Sequence, residues 1–282
     1  MSEQKPNVIL LVPTYNGNRN WELFSEWIYR LDPKPRYTIF LENNSTDGTL
    51  ENLANFKLPH EIIRIWMRED LGKALVDSKW EYTAIAHIRQ LLLTRVKKLN
   101  PDYAIFMDDD TLPPHDMIAK FIATGKDIVG GCYYRIFPEG MFLATKFTHP
   151  NEVDRKANRY LLANLEFIKV ALPHDGYYKE HGLLHGELVE VPMTSGGCLC
   201  LSRRAIIHPQ LYFYPNPAKP FYEFPASEDF GYCMRARRMG IRTYLHTGIV
   251  CRHLIDIRDV RAWAVDSRTR EPVPFKWGHQ YP

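Results

Sequence analysis

The chain has 282 residues, of which 45% are hydrophobic, and this is enough for one large α/β domain. Its many aromatic residues argue against a disordered chain, and a net charge of +3 gives no support for nucleic-acid binding. The polar N-terminus resembles no signal peptide, and no apolar run reaches the ~18 residues of a membrane span. The sequence therefore predicts a cytoplasmic protein without a transmembrane segment. Five cysteines with no Cys-x-x-Cys pair are typical of buried, reduced thiols.

Apolar runs and helical spacing alternate along the first 107 residues. The predicted strands cover residues 8–12, 37–41, 62–67 and 103–107, and the predicted helices cover 21–31, 49–56 and 80–98. This alternation is typical of βαβ units, so we expect a Rossmann-like, mostly parallel, twisted sheet flanked by helices.

The second half of the chain is less regular. Its pattern indicates a strand at 127–134, two strands around a glycine-containing turn at 187–201, a helix at 229–239 and a strand at 243–251. Residues 149–187 have no clear pattern, and the tail after residue 252 is basic and aromatic. That tail could close over a ligand, bind a partner or rest on an anionic membrane.

Polar side chains follow three of the predicted strands. These clusters are Pro13-Thr14-Tyr15-Asn16, Glu42-Asn43-Asn44 and Asp108-Asp109-Asp110. Ligands of such sheets collect at the carboxyl ends of the strands. We therefore expect the three clusters to meet at one edge of the sheet.

The aspartate cluster is the centre of this prediction. Three adjacent carboxylates repel one another, and Mg²⁺ or Mn²⁺ prefers such oxygen ligands. In an extended segment Asp108 and Asp110 would face one side and suit one metal ion, while Asp109 would face the other side and suit a sugar hydroxyl or a backbone group. The alternative is that these residues cap the turn and a helix starting near Pro113-Pro114.

Four motifs in order resemble those of family 2 type glycosyltransferases with the GT-A fold. The first motif, Val12 to Asn16, is similar to the family's first-strand motif. The second, Glu42 to Thr49, is similar to its Asp-Asp-Gly-Ser-Thr-Asp-Gly-Thr segment. The other two are the DXD motif at 108–110 and Ser227-Glu228-Asp229, which is similar to a Thr-Glu-Asp catalytic motif. The resemblance covers about residues 6–255.

The resemblance implies a hexosyltransferase that moves a sugar from a nucleotide-sugar donor, UDP- before GDP-, to a glycan, lipid-linked or protein acceptor. It implies a GT-A domain over residues 1–255, with a nucleotide-sugar half at 6–130, an acceptor half at 131–255 and a tail at 256–282. The family commonly has aspartate where this chain has Asn43, and this difference leaves the base of the donor open.

The resemblance also implies roles for individual residues. Those implied for the donor are Pro13, Thr14, Tyr15, Asn16, Glu42, Asn43, Asn44, Arg89, Asp108 and Asp109. Those implied for a Mn²⁺ or Mg²⁺ ion are Asp108, Asp110 and His253. Gly196 and Gly197 would lie near the acceptor. A histidine after a strand can equally be purely structural.

Inverting transfer needs a base for the acceptor hydroxyl. Asp229 is implied as that base, and Glu228 is the weaker candidate. The alternative for this pair is an N-terminal helix cap. Two other functions stay open: a nucleotidyltransferase, although the glycine-rich basic loop it commonly has after the first strand is missing, and a non-catalytic nucleotide-sugar-binding module.

Overall fold

The computed structural model describes residues 5–66, 81–135, 141–142, 144–147, 165–167, 186–213 and 228–254. The helices in these ranges are α1 (Asn18–Arg30), α2 (Thr49–Ala54), α3 (Glu81–Leu99), α4 (Met117–Ala123), α5 (Arg203–Ile207) and α6 (Glu228–Arg238). The strands of the first half are β1 (Val8–Thr14), β2 (Tyr37–Asn43), β3 (His60–Ile65), β4 (Tyr103–Met107), β5 (Thr111–Leu112) and β6 (Ile128–Arg135). The later strands are β7 (Met141–Phe142), β8 (Ala144–Phe147), β9 (Leu165–Phe167), β10 (Leu188–Val191), β11 (Met193–Thr194), β12 (Cys198–Ser202) and β13 (Thr243–His253).

One large sheet organises the described part of the chain, with the order β10-β13-β6-β12-β4-β1-β2-β3. The pairs β1–β2, β2–β3, β1–β4 and β6–β13 are parallel. Strand β12 is antiparallel to both β4 and β6, and β10 is antiparallel to β13. The prediction of a mostly parallel α/β sheet is confirmed. A separate sheet has the order β11-β8-β9.

The sheet has a hydrophobic core on each face. Alternate residues of β1 show this: Val8, Leu10 and Val12 pack on the face covered by α1, whereas Ile9 and Leu11 pack on the face covered by α3. Side chains of a strand alternate between faces, so burial on both sides produces the continuous apolar run seen in the sequence. The five cysteines are buried and reduced.

The carboxyl ends of β1, β2 and β4 meet at one edge of the sheet. Thr14 of β1 is in register with Glu42 of β2, and Leu11 of β1 is in register with Phe106 of β4. The segments that follow these three strands are therefore neighbours, as the sequence predicts. No helix within the described ranges has both the length and the apolar character needed to cross a membrane.

Candidate active site

The loops that follow β1 and β2 are tied together by Asn16. Its backbone N–H donates to Ser45 Oγ at 2.9 Å, and its side-chain Oδ1 accepts from the Thr46 N–H at 2.9 Å. Asn16 and Asn44 have φ angles of 50° and 54°, a left-handed conformation that asparagine tolerates better than most residues. These two asparagines shape the loops, whichever ligand the loops contact.

Glu42 and Asn43 end β2 and have different environments. Glu42 is fully buried, where it accepts from the Ser45 N–H and from Arg64 Nε at 3.1 Å. Asn43 is only 6% exposed, and its Oδ1 has no hydrogen-bond partner among the described residues. Glu42 therefore holds the turn, whereas Asn43 has an unused acceptor at the edge of the sheet. Tyr15, after β1, is 51% exposed.

The aspartate cluster lies on a turn and is not extended. The Thr111 N–H donates to the Asp108 carbonyl at 3.0 Å, which closes a turn over Asp109 and Asp110. The expectation of alternating faces along an extended segment is therefore wrong, because the chain reverses where β4 ends. The capping alternative is not supported either, since α4 begins at Met117 with Asp116 at its N-cap.

Asp109 is held beneath the first loop. Its Oδ2 accepts a hydrogen bond from Thr14 Oγ1, 95 residues away in sequence. A Cβ on Gly17 would collide with both of these oxygens, so this position needs glycine. Burial, followed by the charge of Asp110, raises the pKa of Asp109 to about 8. The structure therefore brings Asp109 into the strand-end cluster through a contact with Thr14.

Asp110 lies beside the last strand of the sheet. Its carbonyl accepts from the Leu254 N–H at 2.6 Å, and the backbone of His253 is paired with Thr111. The backbone of His253 is thus next to the aspartate turn, although its side chain lies outside the described part of the structure. The assignment of His253 as a metal ligand stays a prediction.

Arg89 of α3 joins the aspartate turn to the start of α6. Its Nη2 donates to Asp108 Oδ1 at 2.8 Å, and its Nη1 donates to Glu228 Oε1. The same Nη1 is 4.0 Å from Asp229 Oδ2. The side chain of Arg89 is buried. Residues predicted separately for the donor and for catalysis therefore form one ionic cluster.

The charges of this cluster shift one another's pKa values. Burial alone would lower the pKa of Arg89, but Asp108, Glu228 and Asp229 outweigh this effect and raise it further above its usual range. Burial, followed by the charge of Asp229, raises the pKa of Glu228 to about 8, and Arg89 opposes this shift. The buried carboxyl groups of the cluster therefore oppose one another's ionisation, and the guanidinium of Arg89 favours it.

The Gly196-Gly197 turn contacts both sides of the cluster. The Gly196 N–H donates to Asp229 Oδ2 at 2.7 Å, and the Gly197 carbonyl accepts from the Asp108 N–H at 3.1 Å. A Cβ on Gly196 would collide with the guanidinium of Arg89. Both glycines are thus in the site, next to the predicted base. The two glycines indicate a turn in the sequence, whereas nothing in the sequence indicates that this turn contacts Arg89.

A divalent cation fits the donor set of this edge. Consecutive carboxylates supply hard oxygen ligands, and after the larger effect of burial the charges of Asp110 and Asp108 raise the pKa of Asp109 further. Among the side chains that the structure describes, no three Asp, Glu, His or Cys residues converge as a complete metal site. A bound ion would therefore need further ligands, such as the phosphates of a donor.

Comparison with known proteins identifies the fold. No protein-family model matches the sequence, and no curated protein matches it significantly. Two similar solved structures are GalNAc-T7, determined with UDP, GalNAc and Mn²⁺, and S. aureus TarS. GalNAc-T7 has a TM-score of 0.56 and 9% identity over 95% of this chain and 50% of its own. TarS has a TM-score of 0.51 and 14% identity over 88% of this chain and 37% of its own.

Both of these proteins are glycosyltransferases with a GT-A-like fold. The chain described here has the GT-A fold, with its strand-end cluster at the carboxyl edge of the sheet. It spans half the length of GalNAc-T7 and about a third of the length of TarS. At identities this low the likeness extends to the fold, and the function has to be argued from the site.

Proposed function

We propose that the protein is a metal-dependent glycosyltransferase of hexosyl type that acts on a nucleotide-sugar donor and inverts the anomeric centre. The observation that carries this proposal is the shared contact of Arg89 with the donor-side Asp108, at 2.8 Å, and the acceptor-side Asp229, at 4.0 Å. A donor diphosphate bound through a metal ion at Asp108 and an acceptor hydroxyl bound at Asp229 would meet within one site.

The nucleoside end of the donor would lie against Tyr15 and Asn43. Tyr15 has an exposed ring that can stack on a base, and Asn43 has an unused Oδ1 that can accept from the base N–H. Uracil and guanine both have such an N–H, so Asn43 fits either base. GalNAc-T7 was determined with UDP, and this likeness is the reason for placing UDP-sugars before GDP-sugars.

Asp108, Asp110 and His253 would hold Mn²⁺ or Mg²⁺, which when bound supplies a Lewis acid that stabilises the departing diphosphate. Asp109 stays beneath the loop through its contact with Thr14, and it supports the turn that carries its two neighbours. The backbone of His253 and the carbonyl of Asp110 keep the last strand beside this turn.

Asp229 would act as the general base. Its Oδ2 accepts from the Gly196 N–H, and its Oδ1 accepts from the Phe230 N–H at 2.7 Å, so the carboxylate is held in one orientation. The acceptor hydroxyl gives its proton to Asp229 while its oxygen forms the new bond to the anomeric carbon. The bond from that carbon to the diphosphate oxygen breaks in the same step, and the configuration inverts.

The acceptor would approach at the Gly196-Gly197 turn, next to Asp229. Both glycines of the turn are buried and Gly196 packs against Arg89, so the turn would act on the acceptor through Asp229, which it orients by the Gly196 N–H. A glycan, a lipid-linked sugar and a protein hydroxyl all have the required group, so these three classes are the acceptors to test.

A donor hydrolysis assay tests the proposal. The purified protein is incubated with UDP-sugars and GDP-sugars, with Mn²⁺ or with a chelator, and the released sugar and nucleoside diphosphate are quantified. Metal-dependent release from UDP-sugars supports the proposal. Nucleotide binding without any turnover, after acceptors of all three classes have been supplied, would show a binding module instead.

A further inference from the structure

We propose that Arg89 is a positioning residue that fixes Asp229 relative to Asp108, and that it does not bind the donor diphosphate. This inference rests on the proposed function and replaces the role that the family resemblance implies for Arg89. It concerns how one buried side chain connects two halves of the site that are far apart in sequence.

The hydrogen-bonding groups of Arg89 are directed at the protein. Nη2 donates to Asp108, Nη1 donates to Glu228, and Nε is buried without a hydrogen-bond partner in the described part of the chain. The residue is only 4% exposed. A diphosphate ligand needs a guanidinium face open to the donor, and Arg89 has almost no exposed surface.

The contacts around Arg89 close a ring. Arg89 contacts Asp108 and approaches Asp229, the Gly196 N–H donates to Asp229, and the Gly197 carbonyl accepts from the Asp108 N–H. Glycine at 196 lets the turn approach the guanidinium more closely than any side chain would permit. Asp108 is therefore held by Arg89 through its carboxylate and by the turn through its backbone N–H, whereas the Asp229 carboxylate is held by the Gly196 N–H and lies 4.0 Å from Arg89 Nη1.

Arginine suits this position because its guanidinium is a planar fork with two terminal nitrogens. One nitrogen reaches the end of β4 and the other reaches the start of α6, so a single rigid group sets the separation of the two motifs. A lysine has one terminal nitrogen and cannot span both carboxylates with fixed geometry. Displacing a catalytic group by about 1 Å can lower a rate about 100-fold.

Three variants test the inference: Arg89→Lys, Arg89→Met and Gly196→Ala. The last one keeps every charge but pushes the guanidinium out of its place. Arg95→Met is the matched control, because Arg95 lies on the same helix and pairs with Glu61 at 2.8 Å, away from the site. The rate is measured as donor hydrolysis with Mn²⁺, so that it does not depend on how tightly an acceptor binds. UDP and UMP affinities are measured by calorimetry.

We expect kcat to fall about 100-fold in all three variants. UDP affinity measured with a chelator, where the metal ligand Asp108 plays no part, should stay within about threefold of wild type. Arg95→Met should match wild type in each measurement. If Arg89 bound the diphosphate, Arg89→Met and Gly196→Ala would both lose UDP affinity much more than UMP affinity, and this result would overturn the inference.

Stability has to be separated from positioning. Thermal melting identifies any variant that fails to fold, and if Arg89→Met is one of these, Arg89→Lys and Gly196→Ala decide the outcome. If the wild type is active and both of those variants keep its kcat, the positioning role is wrong but the proposed function stands. A wild-type protein that turns over no nucleotide-sugar overturns the proposed function as well, so the two failures are distinguishable.

Discussion

Arg89 and Glu228 form a buried hydrogen-bonded pair although they are 139 residues apart in the sequence. The pair joins α3 to the first turn of α6, and the carboxyl group of Glu228 is buried there. Breaking such a pair from one side is strongly destabilising, because the remaining charge stays buried without its partner. The cluster is therefore important for folding as well as for the proposed chemistry.

The first prediction concerns Glu228 and pH. Its pKa is raised from 4.5 to about 8, so the folded protein binds this proton more tightly than the unfolded chain does. The stability that this proton contributes is therefore complete below pH 4.5 and is lost as the pH rises towards 8. The amide of Glu228→Gln cannot ionise, so the variant should lose less stability over the same interval.

Urea unfolding at several pH values between 5 and 8.5 measures this effect. The two proteins should differ in slope by at most about 1.4 kcal/mol per pH unit, with the wild type falling more steeply. The raised pKa of Asp109 affects the stability of both proteins equally, so it cancels in the difference between their slopes. Parallel stability curves would contradict the prediction.

The second prediction concerns Asp229. Asp229→Asn should reduce kcat by about 100-fold or more, because an amide cannot take the proton of the acceptor hydroxyl, while nucleotide affinity stays near wild type. The carboxylate accepts from two backbone N–H groups, and the amide keeps only one acceptor oxygen. We therefore also expect a loss of about 1–3 kcal/mol in the free energy of unfolding.

Steady-state kinetics and calorimetry on the same preparation separate these two effects. A folded Asp229→Asn variant that binds UDP normally and turns over the donor slowly supports the role of base. Full turnover in that variant would remove Asp229 from the mechanism.

Local patterns were sufficient to predict the first four strands of the sheet and the helices between them. The apolar run that begins at Val8 is buried on both faces of the sheet, as its composition indicates. The polar residues after β1, β2 and β4 meet because parallel strands share one carboxyl edge. These features follow from periodicity and from the rules of βαβ units, which act over short stretches of sequence.

Long-range contacts could not be predicted in the same way. Strand β12 inserts antiparallel between β4 and β6, and no local signal specifies its neighbours. The contacts of Thr14 with Asp109 and of Arg89 with Glu228 depend on how distant segments pack. Aspartate is itself a common turn residue, so the turn at Asp109 had a sequence signal that the interpretation as an extended segment did not use.

The third prediction concerns the metal ion. Asp110→Ala should abolish the Mn²⁺-dependent part of UDP binding, because it removes one of the carboxylates proposed to hold the ion. The carbonyl that accepts from Leu254 belongs to the backbone and is retained, so the strand stays in place. Asp116→Ala is the matched control, since this exposed carboxylate pairs with Lys120 at 2.9 Å on α4.

Calorimetric titration of UDP with Mn²⁺ and with a chelator gives the comparison for both variants. Asp116→Ala should show the same gain in affinity on adding Mn²⁺ as the wild type. An equal gain in Asp110→Ala would exclude Asp110 as a metal ligand.

The fourth prediction concerns Asn43, where binding and stability should respond differently. Its buried Oδ1 has no hydrogen-bond partner among the described residues, so Asn43→Ala removes an unsatisfied acceptor and should change the free energy of unfolding little. If Oδ1 accepts from the base of the donor, the same change should lower UDP affinity by about tenfold at most.

Asn55→Ala is the control for this comparison, because Asn55 is an exposed residue after α2 whose amide donates to the Glu51 carbonyl at 2.9 Å. Affinities for UDP and GDP are measured with both variants at a fixed Mn²⁺ concentration. A larger loss for UDP than for GDP in Asn43→Ala assigns Asn43 to uracil recognition. Equal affinities in wild type and Asn43→Ala would mean that the base is held elsewhere, and the preference for UDP would then need another source, such as the exposed ring of Tyr15.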